Sequence, residues 1–279
     1  MKINYLSLPC FGLFILFSGC TSDPILDPEP NNDFRYPMEV GNRWVYSQVY
    51  SQADTAAGSM WSVIERGIDT CEVTGTDLFG SVELIRLEQR FTGDDRHIGT
   101  DWYSNREDGL YTHAYQSAGG YYGNPAPGQK RYVIGGKSFL KPQDATRWLM
   151  GDAINSSDEI YYENPPKRTY VYPPVTGFKW LFRDNDPITM NKTYVSQEIV
   201  STSVGEFNCW VIKWEWDFNG DSIPDSDIQG YDWIAREGLI KRLFSGESTT
   251  GDGNNYPIEH FRWKHIYTLT SYRIDGVNH

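Results

Sequence analysis

Basic side chains are scarce in this chain relative to acidic ones. Its 279 residues include 25 lysines and arginines against 37 aspartates and glutamates, which gives a formal net charge of −12 at pH 7. A strongly negative surface repels nucleic-acid phosphates and anionic membrane surfaces. We therefore expect no nucleic-acid partner, whereas divalent cations suit this charge.

Cysteine is also scarce, with four residues in the chain. Cys10 lies within an apolar N-terminal stretch and Cys20 ends that stretch, so Cys71 and Cys209 remain for the folded part. In an oxidising compartment these two thiols could pair, but their separation in sequence says nothing about their distance in space. The sequence leaves both the paired and the free state open.

Motifs of the common enzyme classes are missing. The stretch around Ser245 lacks the spacing of a nucleophile elbow, and His260 and His265, five residues apart, would point to opposite faces of a strand. No phosphate-binding or dinucleotide-binding loop is recognisable. A pair of glycosidase carboxylates could be present, but no spacing singles one out. The sequence thus predicts no catalytic residue.

The N-terminal residues have the layout of a secretory signal. Lys2 supplies a positive charge, residues 6–17 are almost entirely apolar, and two small residues precede Cys20. This ending resembles a bacterial lipobox, with Phe17 where leucine is usual. The resemblance implies a signal peptide over residues 1–19 and acylation of the Cys20 thiol by palmitate or similar chains. The alternatives are a non-lipidated signal or a membrane anchor, although a spanning helix needs ~18–20 apolar residues.

The segment that follows, residues 20–35, is acidic and rich in proline, without apolar periodicity. We predict an extended tether. Its acidic character resembles the export signals of surface lipoproteins in the Bacteroidetes group. The predicted partner of the anchor is a membrane, and the predicted location is the bacterial outer membrane, on its periplasmic side or at the cell surface. Residues 36–279 are then expected to form one β-rich domain.

Aromatic residues make up 15% of the chain and 26 glycines punctuate it, a composition that favours strands and turns. Two segments alternate with a period of two, as half-buried strands do. The residues that share one face in these two segments are Trp210, Ile212, Trp214 and Trp216, and then Phe261, Trp263, His265, Tyr267 and Leu269. Only residues 142–150 look helical. The sequence predicts a mainly β, antiparallel fold with little helix.

Three short segments resemble a group of uncharacterised exported bacterial β proteins. Residues 36–46 read YPMEVGNRWVY, close to the opening PL-x-VGN-x-W-x-Y of that group. Residues 203–211 read SVGEFNCWV and residues 235–241 read AREGLIK, close to its AGTF-x-CY-x-V and A-x-GVGLVK segments. The resemblance implies a strongly curved antiparallel sheet, an open half-barrel or a barrel or sandwich, similar to the lipoprotein-carrier fold. It brings no catalytic residues.

An acidic run after the tryptophan-rich segment has the spacing of a calcium loop. Side-chain oxygens at positions 1, 3, 5 and 9 and a backbone carbonyl at position 7 can surround a hard cation. In this run they belong to Asp217, Asn219, Asp221 and Asp225 and to the Ile223 carbonyl. The run resembles the loops of thrombospondin-type and dockerin-type calcium modules, and we predict a structural Ca²⁺ site of weak, extracellular affinity, ~10⁻⁴–10⁻³ M.

The run departs from that pattern at two positions. Ser222 replaces the usual glycine at position 6, and Ile228 stands at position 12, where a bidentate carboxylate is expected. Asp227 or Asp232 could substitute for it. The alternative is a solvated acidic loop in which Asn219 and the glycine after it form an ordinary turn.

A long stretch rich in glycine and proline, residues 117–130, carries Tyr121 and Tyr122, which we predict as ligand-binding residues on an exposed loop. We predict a lipid-anchored envelope protein with a non-catalytic binding or structural role. A carrier of apolar ligands requires a concave, aromatic-lined sheet, and a glycan-binding module requires exposed aromatic rings. A glycan hydrolase, the alternative from another class, requires two carboxylates across a cleft.

Overall fold

The computed structural model describes residues 33–56, 58–91, 96–117, 131–140, 142–150, 159–185, 188–251 and 259–279. The predicted signal peptide, Cys20, most of the predicted tether, and the loop with Tyr121 and Tyr122 lie outside these residues. None of the helical segments in the described ranges has the length and hydropathy needed to cross a bilayer.

Fifteen antiparallel strands in the described ranges form one sheet that curves into a nearly closed barrel. The strands are β1 (Arg43–Asp54), β2 (Ser62–Phe79), β3 (Val82–Phe91), β4 (Arg96–Arg106), β5 (Gly109–Ser117), β6 (Arg131–Ile134), β7 (Lys137–Phe139), β8 (Ile160–Val171), β9 (Lys179–Asn185), β10 (Ile188–Thr202), β11 (Gly205–Asp217), β12 (Ile228–Ala235), β13 (Gly238–Gly251), β14 (Glu259–Ile274) and β15 (Val277–Asn278). Along the barrel their order is β8-β5-β4-β3-β2-β1-β14-β13-β12-β11-β10-β9, with β6, β7 and β15 added beside this path. The predicted mainly β, antiparallel, strongly curved fold is confirmed.

The alternation in the sequence corresponds to the two faces of the barrel wall. In β14, Phe261, Trp263, His265 and Leu269 are buried in the interior, whereas Arg262 and Lys264 between them are partly exposed. In β11, Ile212, Trp214 and Trp216 are buried as predicted. Val211, on the other face of β11, is buried as well, so the alternation there is not strict.

The helix α1 (Pro142–Leu149) matches the segment predicted to be helical. It packs against the inner wall through polar contacts with three strands. The indole Nε1 of Trp216 in β11 donates to the carbonyl of Leu149, at 2.9 Å, and the hydroxyl of Thr146 lies 2.9 Å from Nδ1 of His265 in β14. Nη1 of Arg242 in β13 lies 2.9 Å from the sulfur of Met150, just after the helix. The helix therefore fills part of the barrel interior.

The barrel closes between its two edge strands, β8 and β9, without a ladder of backbone hydrogen bonds between them in the described residues. Two side chains bridge this seam by donating hydrogen bonds to backbone carbonyls of β8. The indole Nε1 of Trp180 donates to the Arg168 carbonyl at 3.0 Å, and the hydroxyl of Tyr194 donates to the Val171 carbonyl at 2.8 Å. An ion pair of 2.7 Å between Arg183 and Glu163 adds a further link. The seam is thus held by side chains from β9 and β10.

Candidate functional site

The predicted calcium loop connects β11 to β12, and its first carboxylate organises the loop backbone. Oδ1 of Asp217 accepts the N–H groups of Asn219 and Gly220, at 3.2 and 2.7 Å, and Oδ2 accepts that of Ser222, at 2.7 Å. Desolvation raises the pKa of Asp217, but these backbone donors outweigh it, so that the pKa lies below its ordinary value. Ser222 has a φ of +66°, the left-handed conformation that the usual glycine would adopt.

The other side chains of the run also bind backbone groups of the loop. Asn219 Oδ1 accepts the N–H of Asp221 at 2.9 Å, Asp221 Oδ1 accepts that of Ile223 at 2.8 Å, and Asp225 Oδ2 accepts that of Phe218 at 2.8 Å. Within the described ranges, no three acidic, histidine or cysteine side chains converge as a metal-binding group. Calcium binding therefore stays a prediction.

The two acids named as substitutes for position 12 lie in different settings. Asp227 is exposed beside the loop, where its Oδ1 lies 3.4 Å from the Ser226 hydroxyl. Asp232 is fully buried in the barrel and accepts two hydrogen bonds from Arg242, at 2.6 and 2.9 Å. Asp232 is thus buried in an ion pair in the core. Of the two acids, only Asp227 lies next to the loop.

The cysteine thiols of the folded part are free. Cys209 in β11 is fully buried and Cys71 in β2 is partly buried. Burial raises the pKa of both thiols, that of Cys209 to about 12. Such thiols remain protonated at neutral pH, which makes them poor nucleophiles and metal ligands.

The interior contains charged groups that the sequence analysis did not predict. Lys192 in β10 is 1% exposed, and its Nζ lies 3.8 Å from the ring centroids of both Phe182 and Trp214. The contacts are cation–π in geometry. Burial lowers the pKa of Lys192 well below its usual range, against the opposing effect of Asp232. A lysine in a strand is ordinarily placed on the exposed face, so no signal in the sequence indicated this position.

A second feature is an aromatic cleft on the outer face of the barrel. Leu84, Trp102 and Ala114 form a small cluster separate from the main core. Their strand neighbours Ile85 and Tyr103 pack against the main core instead. Because successive side chains of a strand point to opposite faces, this small cluster lies outside the barrel.

The cleft beside this cluster has a volume of about 630 Å³. It is lined by Asp77, Leu78, Phe79, Trp102, Ile160 and Tyr162, together with Gly80. The Phe79 ring meets Trp102 and Tyr162 edge to face, with centroids 5.4 and 5.7 Å apart. Tyr162 is 66% exposed, so its ring is available to a ligand.

The carboxylate of Asp77 makes polar contacts at the cleft. Asp77 Oδ2 accepts the indole N–H of Trp102 at 2.7 Å, and Oδ1 accepts from Arg86 at 3.1 Å. Asp77 supplies the cleft's single carboxylate among its described lining residues. Two carboxylates across the cleft, which glycoside hydrolysis requires, are not found among those residues.

Comparison with known proteins gives a limited result. No protein-family model matches the sequence, and no curated protein is significantly similar to it. One similar solved structure is a predicted exported protein with a YmcC-like fold from Bacteroides fragilis, with a TM-score of 0.36 and 11% identity over 86% of this chain and 99% of that one. Another is a predicted lipoprotein from Parabacteroides distasonis, with a TM-score of 0.33 and 12% identity over 85% of this chain and 98% of that one.

Proposed function

We propose that this chain is a lipid-anchored protein of the bacterial cell envelope that binds a small ligand without catalysing a reaction. The anchor rests on the order of charged, apolar and small residues before Cys20. The binding role rests on the outer cleft, whose aromatic walls and volume of about 630 Å³ fall in the range of small-molecule sites.

The chemistry of the cleft favours a carbohydrate ring as its ligand. The exposed ring of Tyr162 offers a flat surface to the C–H face of a sugar, and Leu78, 74% exposed, extends that apolar surface. Asp77 provides carboxylate oxygens that can accept a sugar hydroxyl. This combination of a flat apolar surface and a few directed polar groups is typical of ligand sites.

The experiment is a binding screen with mono- and oligosaccharides, followed by saturation-transfer NMR and calorimetry on the ligands found. We expect Tyr162→Ala to weaken binding by about fivefold or more, as loss of an aromatic contact does. Phe178→Ala is the matched control, because Phe178 is 43% exposed and does not line the cleft. Equal affinities of the two variants, or no binding to any sugar, would contradict the proposal.

We further propose that Ca²⁺ stabilises the loop between β11 and β12. The support for this proposal is the spacing of Asp217, Asn219, Asp221 and Asp225, with the Ile223 carbonyl at position 7. The metal would supply positive charge to the acidic run, and these residues would hold it in a structural role.

A further inference from the structure

Three hydrogen-bond donors lie along the inner wall of β9, β10 and β11. Lys192 stands directly opposite Trp214 in the pairing of β10 with β11. Arg183 stands opposite Met190, two residues before Lys192, in the pairing of β9 with β10. All three side chains are buried, with exposures of 3% or less. We call Arg183, Lys192 and Trp214 the donor strip.

The donor strip lacks acceptors. Nε and Nη1 of Arg183 and Nε1 of Trp214 are buried without a hydrogen-bond partner in the described part of the chain. Lys192 Nζ, with three N–H groups, has one long bond of 3.3 Å to the Thr169 carbonyl. Since more than nine in ten buried polar groups in proteins are hydrogen-bonded, this concentration of unpaired donors on adjacent strands requires an explanation.

The described carboxylates near the strip are each paired with an arginine, which leaves none of them for Lys192. Glu163 is paired with Nη2 of Arg183 at 2.7 Å, and Asp232 is paired with Arg242. Lys192 has no carboxylate within ion-pair distance among the described residues, and it faces aromatic rings instead. An anionic group at this place would favour the charged form of Lys192, against the effect of burial, and would accept from the unpaired N–H groups.

Aromatic rings surround the Lys192 amine, and the buried ion pair of Asp232 with Arg242 lies nearby. Phe182, Tyr170 and Trp214 surround Lys192, and Phe244 packs against Trp214 with centroids 5.6 Å apart. A free inorganic anion would find the same hydrogen-bond donors here, but it would bury no apolar surface against these rings. An amphiphile that carries its charge on an apolar chain would instead bury that chain against the rings.

We propose that the donor strip binds the carboxylate of an amphiphile such as a fatty acid. The carboxylate oxygens accept from Lys192 Nζ, which gives up its long bond to Thr169, and from the free N–H groups of Arg183 and Trp214. Access is through the seam between β8 and β9, because side chains rather than a backbone ladder close the barrel there. This site is separate from the outer cleft.

The test measures the binding of decanoate, below its micellar concentration, by calorimetry and by the change in tryptophan fluorescence. Decanol and acetate are the two control ligands, one without the charge and the other without the chain. We expect saturable binding of decanoate, and at least about tenfold weaker binding of both control ligands, as the loss of a charge-assisted hydrogen bond or of a buried chain predicts.

Two lysine variants separate the site from general electrostatics. Lys192→Met should weaken decanoate binding at least about tenfold. Lys213→Met makes the same change on the adjacent strand at a side chain that is 40% exposed, and it should leave binding unchanged. Thermal melts check that both variants fold, and Lys192→Met should melt close to the wild type, because it replaces a buried amine without a carboxylate partner among the described residues by an apolar side chain of similar length.

Unchanged decanoate binding in Lys192→Met would overturn the proposal, as would equal binding of decanol or of acetate. Tyr162→Ala should leave decanoate binding intact, so failure at the donor strip is distinguishable from failure at the outer cleft. If Tyr162→Ala abolishes decanoate binding, the ligand occupies the cleft and the inference about the barrel interior is wrong.

Discussion

Nδ1 of His265 lies 2.9 Å from the hydroxyl oxygen of Thr146, a contact that joins β14 to the helix inside the barrel. Nε2 of the same ring lies 2.9 Å from Oε1 of Gln48, while Nε2 of Gln48 donates to Asp69 at 3.0 Å. An amide oxygen only accepts, so Nε2 of His265 carries the proton and Nδ1 accepts from Thr146. The neutral ring is therefore the form that these partners require.

The stability of the protein should fall in mild acid because of this histidine. Burial lowers the pKa of His265 to about 3, from 6.5 when exposed. Below pH 6.5 the unfolded chain takes up a proton that the folded chain does not, so stability is lost as pH falls from 6.5 toward 3. Between pH 7 and pH 5 we expect a loss of about 2 kcal/mol from this group.

Urea denaturation at pH 7, 6 and 5 measures this effect. His265→Gln should remove the loss of unfolding free energy that His265 causes between pH 7 and pH 5. This holds even if the variant is less stable than the wild type at pH 7. His260→Gln is the control, since His260 lies exposed on the same strand, and it should behave as the wild type. An identical loss in all three proteins would show that other groups cause the acid sensitivity.

Removal of the Asp232 carboxylate should strongly destabilise the protein, because it breaks the buried ion pair with Arg242. Asp232 is fully buried, and two bonds of 2.6 and 2.9 Å join it to the guanidinium. Asp232→Asn leaves the guanidinium without a counter-charge in the core, a change that destabilises proteins by ~3–5 kcal/mol. Denaturant unfolding at pH 7 gives the free energy.

Glu72→Gln provides the exposed counterpart. Glu72 pairs with Arg273 at 3.0 Å, but both side chains are about one-third exposed. Removal of such a pair should change the unfolding free energy by less than ~1 kcal/mol. A loss for Asp232→Asn no larger than that for Glu72→Gln would mean that the buried pair is solvated in solution.

The barrel was predictable from the sequence where hydrophobic alternation was strong. The pattern around Trp263 in β14 placed its inner face correctly, because a half-buried strand repeats every two residues. The helix at residues 142–149 was predictable from local pattern alone. Its place inside the barrel was not, since the contact of Thr146 with His265 depends on residues 119 positions apart.

The charged interior could not be predicted for a similar reason. Asp232 follows an acidic run in the sequence, which suggested a calcium ligand, whereas strand pairing sets it directly opposite Arg242. Lys192 lies in a segment that reads as a strand, but the side chain's direction depends on the register with β9 and β11. Register across distant strands is tertiary information that local patterns do not contain.

Calcium should raise the melting temperature if the loop between β11 and β12 binds it. At 10 mM Ca²⁺ and a dissociation constant of ~10⁻⁴–10⁻³ M, preferential binding to the folded state adds about 1.4–2.7 kcal/mol. Melts in calcium and in chelator measure the difference. Because Asp217 also binds loop amides, its loss lowers stability in either buffer, so the informative quantity is the calcium-dependent increment.

That increment should vanish in the double variant Asp217→Ala with Asp221→Ala. Asp184→Ala removes an exposed carboxylate from β9, outside the acidic run, and should keep the increment. If the calcium-dependent rise in melting temperature persists in the double variant, calcium binds elsewhere. If the wild type shows no such rise, the loop does not bind calcium.

Acylation of Cys20 should decide whether the protein stays with membranes. Several acyl chains on one cysteine bind a bilayer far more firmly than one chain, which gives only marginal attachment. Cys20→Ala removes the acylated thiol, so the variant should move from the detergent phase to the aqueous phase on Triton X-114 partition. Cys10→Ala is the matched control, because Cys10 lies in the predicted signal peptide, which processing removes, and its loss should change nothing.

Mass spectrometry of the mature wild-type N-terminus should show Cys20 as the first residue with acyl groups attached. An unmodified N-terminus, or membrane retention of Cys20→Ala, would show that another contact holds the protein there.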